Sequence, residues 1–243
     1  MKKNTTGIRL NRYLSLCGIA SRRKCEEMIE EDRIAVNGKI VTDFSTFIQD
    51  SDTVTLDGGK ISPQRSNYLL LNKPKAVITT LSDEQWRKHV GMLLPKNVFV
   101  KPIGRLDKNT TGVLLFTNDG ELHYRLTHPK YQIPRVYQVE LDKMYSEKLS
   151  SIIAAGVQLN YRETARGNVL YVRHMKKHSV VTLELREGLN REIHRMFKVL
   201  GYKVTDLDRI SYAGISAGAV KPGQWRYLNV AEVRKLKELC GII

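Results

Sequence analysis

One carboxylate, Asp107, stands in a polar loop between two apolar stretches of the chain. The loop covers residues 102–112, and Arg105 and Lys108 flank the carboxylate in a protein whose formal net charge is +15. Buried strands at both ends would hold the loop in place, and the nearby cations would keep the acid ionised and facing anionic partners. A simple turn, in which the aspartate bonds to its own backbone, is the alternative interpretation.

A tyrosine follows on a segment with the alternation of a strand. Residues 135–141 alternate in polarity, which puts Tyr137 on one face together with Arg135 and Val139. An aromatic ring on such a platform can stack on a planar ligand. Packing in the core is the alternative role for this tyrosine.

The segment that begins at Arg191 has two stripes at helical spacing. Apolar residues recur at i, i+3, i+4 and i+7, and basic side chains recur with the same spacing on the other face. The basic stripe consists of Arg191, His194, Arg195 and Lys198. Like charges at this spacing repel each other, so phosphates or a carboxylate are the expected neighbours, and a solvated face is the alternative.

Several common catalytic motifs are absent from the sequence. No glycine loop ends in Lys followed by Ser or Thr, and no dinucleotide fingerprint follows a strand, so nucleotide cofactors lack their usual phosphate cradle. The same lack of a glycine-rich loop argues against a methyltransferase. The histidines and cysteines show no metal-ligand spacing, and the commonest serine-hydrolase elbow is missing. We therefore expect neither a cofactor nor a metal.

The charge balance indicates a nucleic-acid partner. The chain has 40 Lys and Arg against 25 Asp and Glu, with most of the excess after residue 66. Basic side chains bind phosphates by releasing their counterions. No signal peptide, basic amphipathic helix or apolar run of about 20 residues supports a membrane partner. The three cysteines lie at apolar helical positions, which is typical of reduced thiols, so we expect a cytoplasmic protein.

The order of predicted elements favours two domains. Residues 1–60 contain two helices, the second with Ser21 as its N-cap, followed by a small sheet with a hairpin at Asn37-Gly38. Residues 61–67 are predicted to form a linker. Residues 68–243 alternate many strands with a few helices, which is typical of an α+β domain with a mixed, mainly antiparallel sheet and flanking helices. Strands are expected at about 98–102, 113–117, 135–141, 169–173, 180–185 and 204–212, and helices at about 120–126, 146–155, 191–200 and 230–239.

The first two helices carry a cluster of arginines. These are Arg9, Arg12, Arg22 and Arg23, which we expect to contact RNA. A solvated helix face with acids opposite is the alternative interpretation of this cluster.

The motifs, taken together and in order, resemble the RsuA/RluB/RluF-type ribosomal RNA pseudouridine synthases. The N-terminal module resembles the S4-like RNA-binding domain that these enzymes carry, through residues 9–13 and 18–23. The likeness covers residues 8 to about 239. In the larger domain it is carried by Asn72-Lys73-Pro74, Gly104-Arg105-Leu106-Asp107, Thr111-Gly112, Thr117-Asn118-Asp119-Gly120, His128-Pro129, the Tyr137 strand and residues 187–196.

The resemblance implies that a uridine in folded ribosomal RNA is isomerised to pseudouridine. It implies that Asp107 is the essential carboxylate, acting either as nucleophile at the sugar or as base on its neighbouring carbon. The target base must leave its stack, and Tyr137 would stack on the flipped uracil. Arg105 would fill the vacated space or hold a phosphate. No cofactor or metal is needed for such an isomerisation.

Two positions depart from the family pattern. Arg135 stands where lysine is common, and His194 stands where the basic partner of the catalytic carboxylate normally lies in a Gln-Val/Ile-Arg-Arg segment. Either His194 pairs with Asp107, or Arg195 or Arg191 does. The histidine favours the alternative function, a catalytically weak or silent RNA-binding factor for ribosome assembly. The target uridine, the ribosomal subunit and a second tRNA substrate stay open, and we expect a monomer.

Overall fold

The structure is a computed structural model that describes residues 7–243. The chain divides into two compact units, one that ends at Ser66 and one that spans Asn67–Ile243. Ile61, which the sequence places in a linker, ends a strand of the first unit because it pairs with Val54. No helix within the described residues is long and apolar enough to cross a membrane.

The first unit packs two short helices with small sheets. Ser21 caps the second helix, since its hydroxyl accepts the N–H of Lys24 at 3.3 Å. The hairpin turn has Asn37 at φ 52° and Gly38 at φ 78°, the left-handed pair that a tight two-residue turn requires. The elements are β1 Ile8–Arg9, α1 Leu10–Leu16, α2 Arg22–Glu30, β2 Ile34–Val36, β3 Lys39–Ile40, β4 Phe47–Ile48, β5 Val54–Leu56 and β6 Gly59–Ile61.

The second unit is built on one large sheet. Its strand order is β13-β14-β10-β15-β9-β7-β17, with β16 beside β15 and β8 beside β9. Among the described strands of this sheet, all neighbours are antiparallel except β9 and β15, which confirms the expected α+β class with a mixed, mainly antiparallel sheet. The elements are β7 Tyr68–Lys73, β8 Lys101–Pro102, β9 Thr111–Thr117, α3 Gly120–Thr127, β10 Arg135–Leu141, α4 Leu149–Ala155, β11 Val157–Gln158, β12 Thr164–Ala165, β13 Asn168–His174, β14 Ser179–Leu185, α5 Glu192–Val199, β15 Val204–Tyr212, β16 Ile215–Ser216, β17 Trp225–Tyr227 and α6 Val230–Leu239.

One row of residues crosses the middle of this sheet. Tyr137 on β10 pairs with Arg209 on β15, Arg209 with Gly112 on β9, and Gly112 with Lys73 on β7. Paired residues on neighbouring strands point to the same face. Gly112 has φ 99°, and a side chain there would collide with the backbone of Arg209. Glycine therefore lets β9 and β15 approach and leaves space between the side chains of Lys73 and Arg209.

Three predicted elements of the second unit have clearly different bounds in the structure, and one of them, the helix expected at 146–155, spans only Leu149–Ala155. The strand expected at 98–102 is paired only at Lys101–Pro102, because Val98 closes a turn on the carbonyl of Pro95 instead. The helix expected at 191–200 begins at Glu192, because Arg191 has the left-handed φ of 46°. That conformation ends the preceding loop and turns the chain into the helix.

Candidate active site

A cavity of about 720 Å³ lies in the second unit beside Asp107. This volume lies within the range of sites that hold small ligands. The cavity is bounded by the loop at 104–110, by strands β10 and β15, by the segment 187–194 and by residues 78–87. Six of the residues predicted from the sequence line it: Arg105, Asp107, Arg135, Tyr137, Arg191 and His194.

The loop that carries Asp107 is anchored on both sides of the carboxylate. Leu106 is buried, and its carbonyl and N–H are bonded to the hydroxyl of Thr79 at 2.7 Å and 3.2 Å. Thr110 is also buried, and its N–H donates to the carbonyl of Asp107 at 3.1 Å. The side chain of Asp107 itself is exposed. The turn is real, but its backbone bonds leave the carboxylate accessible to a ligand.

Lys73 holds this loop from below with a buried ammonium group. Its Nζ donates to the carbonyls of Pro74, Lys108 and Thr110 at 3.1, 3.1 and 2.8 Å, which uses all three of its protons. Burial lowers the pKa of Lys73 to about 8, although the charge of Asp107 raises it. At neutral pH the group is therefore a cation fixed close to the carboxylate.

Arg209 places a second buried cation under the cavity. Its side chain is 2% exposed, its Nε donates to the carbonyl of Val113 at 2.7 Å, and its guanidinium lies 4.8 Å from the ring centre of Tyr212. Its Nη2 has no hydrogen-bond partner within the described part of the chain. Arg209 lines the cavity, but Nη2 itself is buried, so the guanidinium contributes its positive charge to the cavity wall.

Tyr137 and Arg135 lie close together along β10 but have different roles. Tyr137 is buried in the main core cluster and lines the cavity, so core packing and a stacking platform are compatible here. Arg135 donates to the carbonyl of Glu187 at 2.6 Å and lies 5.2 Å from the ring centre of Tyr212. It braces the loop that leads into α5, and thereby shapes the cavity wall.

The side chains of the basic stripe predicted on α5 lie in two different places, the cavity and a contact with Glu163. Arg191 and His194 line the cavity with Asp107. Arg195 instead donates to Glu163, next to β12, at 2.7 Å and is not among the described lining residues. Of the three alternatives for the partner of Asp107, the geometry favours Arg191 and His194 over Arg195, because Glu163 holds the guanidinium of Arg195.

His194 is a weak cation in this setting. Burial lowers its pKa below the usual value, and the charge of Arg191 lowers it further, while Asp107 acts in the opposite direction. The histidine is therefore largely neutral at pH 7 in the free protein. The positive charge near Asp107 then comes from the buried Lys73 and from Arg191 and Arg209 in the cavity wall.

Glu192, the first residue of α5, is a buried carboxyl in the cavity wall. It is 5% exposed, its Oε2 accepts the N–H of Leu189 at 3.1 Å, and its Oε1 has no partner within residues 7–243. Burial raises the pKa of Glu192 to about 7, against the opposing effect of the Leu189 N–H. The group is partly protonated near neutral pH.

The arginines predicted to contact RNA from the first unit are all exposed. These are Arg9, Arg12, Arg22 and Arg23. The guanidinium of Arg22 reaches Asn11 at 3.5 Å, and Asn11 donates to Glu26 at 2.6 Å. The four arginines thus form an exposed basic surface, and Asn11 connects one of them, Arg22, to the acidic residue Glu26.

The sequence analysis assigned no site role to Lys73 and Arg209, although it quoted Lys73 within the Asn72-Lys73-Pro74 motif. Each has a signal in the strand alternation, since Lys73 shares a face with Leu69 and Leu71, and Arg209 shares one with Leu207. A charged residue at an inward position of a buried strand indicates a specific partner. The partner itself depends on the strand register, which local sequence patterns do not define.

Comparison with known proteins identifies the family. The model of the RNA pseudouridylate synthase family matches residues 67–198, and the S4 domain model matches residues 8–54. An uncharacterized RNA pseudouridine synthase of Aquifex aeolicus (strain VF5) is 36% identical over 240 residues, which are 97% of this chain and 96% of that protein. The ribosomal large subunit pseudouridine synthase B of Bacillus subtilis (strain 168) is 36% identical over 236 residues, 95% of this chain and 96% of that protein.

A solved structure agrees with these relatives. The crystal structure of a pseudouridylate synthase covers 95% of this chain and 100% of its own, with a TM-score of 0.67 and 26% identity. The chain therefore belongs to the RNA pseudouridine synthase family and carries an S4 domain before its catalytic unit. The resemblance drawn from the sequence motifs is confirmed, and with it the enzyme class.

Replacement of Lys73 tests its role as the anchor of the Asp107 loop. We expect Lys73→Met to lower the free energy of unfolding by about 3 kcal/mol, because three backbone carbonyls, one of them in a fully buried hydrogen bond, lose their donor. Urea denaturation at pH 7 measures this change. Lys108→Met, which removes an exposed ammonium from the same loop, should stay within about 0.5 kcal/mol of the parent. Equal stability of Lys73→Met and the parent would contradict the anchoring role.

Glu192 should make stability depend on pH in a defined window. The pKa of Glu192 is raised in the folded protein, so ionising this carboxyl lowers the free energy of unfolding. This loss of stability is absent below the unfolded pKa of about 4.5 and is complete above about pH 7. Glu192→Gln mimics the protonated form and should raise the free energy of unfolding by about 2 kcal/mol at pH 8. The two proteins should be equally stable at pH 4, and a difference that is the same at both pH values would argue against this origin.

Proposed function

We propose that this enzyme isomerises one or more uridines of ribosomal RNA, with Asp107 as the essential carboxylate. The observation that carries the proposal is an accessible carboxylate on an anchored loop, close to the buried cation Lys73, in a cavity large enough for a flipped uridine. The name of the Bacillus subtilis relative supports ribosomal RNA as the substrate. The basic surface of the S4 domain and the net charge of +15 support binding to a polyanion.

The reaction makes particular demands on the site. The bond between N1 of uracil and C1′ of ribose breaks, the base turns, a bond from C5 to C1′ forms, the C5 proton leaves and N1 gains a proton. An ionised Asp107 would serve as nucleophile at the sugar or as base on its neighbouring carbon. Both routes require a carboxylate that stays charged while RNA excludes water, and Lys73 beneath the loop supplies the opposing charge.

The target base must leave the RNA stack before it can turn. Base flipping costs a few kcal/mol, which stacking inside the pocket offsets. Tyr137 would stack on the uracil, and the positive charge of Arg209 in the cavity wall would attract the phosphate of the nucleotide. Arg105 at the exposed rim would fill the vacated position in the RNA or bind a phosphate. Arg191 and His194 would contact the backbone of the same nucleotide.

The S4 domain would add a second contact surface on the RNA. Its exposed arginines, Arg9, Arg12, Arg22 and Arg23, would bind phosphates and so help to select the target fold. We also propose that the protein acts in the cytoplasm, as a monomer, without a metal or cofactor. Mapping of pseudouridines in tRNA from cells with and without the gene decides whether a tRNA is a second substrate.

A gene deletion tests the substrate. Carbodiimide labelling and primer extension mark pseudouridines in ribosomal RNA and tRNA from cells with and without the gene. We expect at least one stop in ribosomal RNA to vanish in the deletion strain and to return when the purified protein is added. Persistence of every stop, together with no isomerisation by the purified protein, would contradict the proposal.

Asp107→Asn tests the essential carboxylate. The amide cannot ionise, so we expect turnover of unmodified ribosomal RNA to fall below detection while the Kd for that RNA changes by less than about threefold, since one exposed side chain contributes little to a large RNA interface. Single-turnover kinetics and filter binding measure the two quantities. Equal loss of binding and turnover would make Asp107 a structural residue.

The rival function is a silent RNA-binding assembly factor, which the lowered pKa of His194 favours. His194→Arg places a permanent cation beside Asp107 and separates the two functions. If Lys73 already supplies the needed charge, the parent should be active and the variant should change the rate by less than about tenfold, or 1.4 kcal/mol. Inactivity of both proteins with intact RNA binding would support the rival.

A further inference from the structure

A loop at residues 79–89 borders the cavity and is closed at its base. Ile78 and His89 form a parallel bridge where the loop leaves and rejoins the domain. Val77 and Val90, one on each side, are buried in the main core cluster. The loop is therefore a compact excursion with fixed ends.

Hydrogen bonds connect this loop to the catalytic loop and brace its tip. Thr79 is bonded to both backbone groups of Leu106, the residue before Asp107. Near the tip, Asp83 accepts from the guanidinium of Arg87 at 2.5 Å and from its backbone N–H at 2.9 Å. This ion pair closes the turn that contains residues 84–86.

Trp86 projects from that turn into solvent. Its side chain is 94% exposed, more than any other large hydrophobic residue in the described chain. Its backbone has φ 56°, a conformation that glycine adopts easily and a bulky residue adopts only with strain. The fold gains nothing from an indole in water on a strained backbone. Both features are typical of a residue kept for an interaction.

The surroundings of Trp86 identify the partner. Ser82, Asp83 and Arg87, on either side of it along the chain, line the cavity of Asp107. Arg87 and Lys88 follow directly and are exposed, as is Glu84 before the ring; Arg87 is paired with Asp83, and Lys88 adds a further cation. An aromatic ring next to a cation is the usual platform for an unpaired nucleotide, whose base stacks while its phosphate meets the charge.

We propose that Trp86 stacks on an unpaired base of the substrate RNA beside the target uridine. When one base flips into the cavity, its neighbour loses a stacking partner and can take a new one at the rim. The inference rests on the proposed function. A second copy of this protein is a poor occupant, because two chains of charge +15 repel each other.

Fluorescence reports directly on Trp86. The chain has two tryptophans, so Trp225→Phe leaves Trp86 as the sole indole. The probe is unmodified ribosomal RNA from a strain that lacks the gene. We expect RNA to quench the emission and to shield the indole from acrylamide. Unchanged emission and unchanged acrylamide access at saturating RNA would overturn the proposal, whether or not isomerisation is detected.

Kinetics separate stacking from a structural role. Trp86→Gly removes the ring and relieves the backbone strain, so it should fold well. We expect it to raise KM for unmodified ribosomal RNA about tenfold, equivalent to about 1.4 kcal/mol, with little change in kcat. Trp86→Phe keeps a stacking face and should stay within about threefold of the parent.

Two further results would overturn the stacking role of Trp86. A KM for Trp86→Gly equal to that of the parent would overturn the proposal while leaving the proposed function intact. Loss of self-association in Trp86→Gly, measured by sedimentation, with unchanged RNA binding would assign the indole to a protein interface instead and would also overturn it. Absence of isomerisation in the parent contradicts the proposed function alone, because the fluorescence titration still tests RNA contact.

Discussion

The hydrogen bonds of the buried Lys73 ammonium are the interaction on which the site depends. A lysine inside a sheet is unfavourable unless its three protons and its charge are all partnered. Here the backbone carbonyls of Pro74, Lys108 and Thr110 take the protons, and Asp107 lies close enough to favour the charge. One arrangement therefore partners the buried cation and fixes the backbone of the Asp107 loop.

The strand register makes that arrangement possible. Gly112 allows the single parallel pair of the described large sheet to approach closely, and it separates Lys73 from Arg209 on the face that they share. Tyr137 completes the row on the neighbouring strand. Lys73, Arg191 and Arg209 keep positive charge near the Asp107 carboxylate when His194 is neutral.

Features that depend on local sequence pattern could be predicted, whereas contacts that depend on strand register could not. The loop of Asp107, the strand of Tyr137 and the convergence of Arg191 and His194 followed from alternation, helical spacing and motif order. The role of Lys73 did not, because its partners are set by strand register and by a loop 35 residues away. The partner of Arg195 did not follow from the sequence either, because Glu163 lies on a hairpin that is remote along the chain.

The central chemical claim is that the enzyme replaces the bond between C1′ of ribose and N1 of uracil by a bond between C1′ and C5. The exchange must release the hydrogen at C5, so ribosomal RNA labelled with tritium at that carbon reports on it at whichever uridine is the target. Purified protein should release tritium into water from RNA of a strain that lacks the gene, up to a fixed number of equivalents, and little from RNA of the parent strain. No release from either RNA, under conditions where the protein binds both, would contradict the claim.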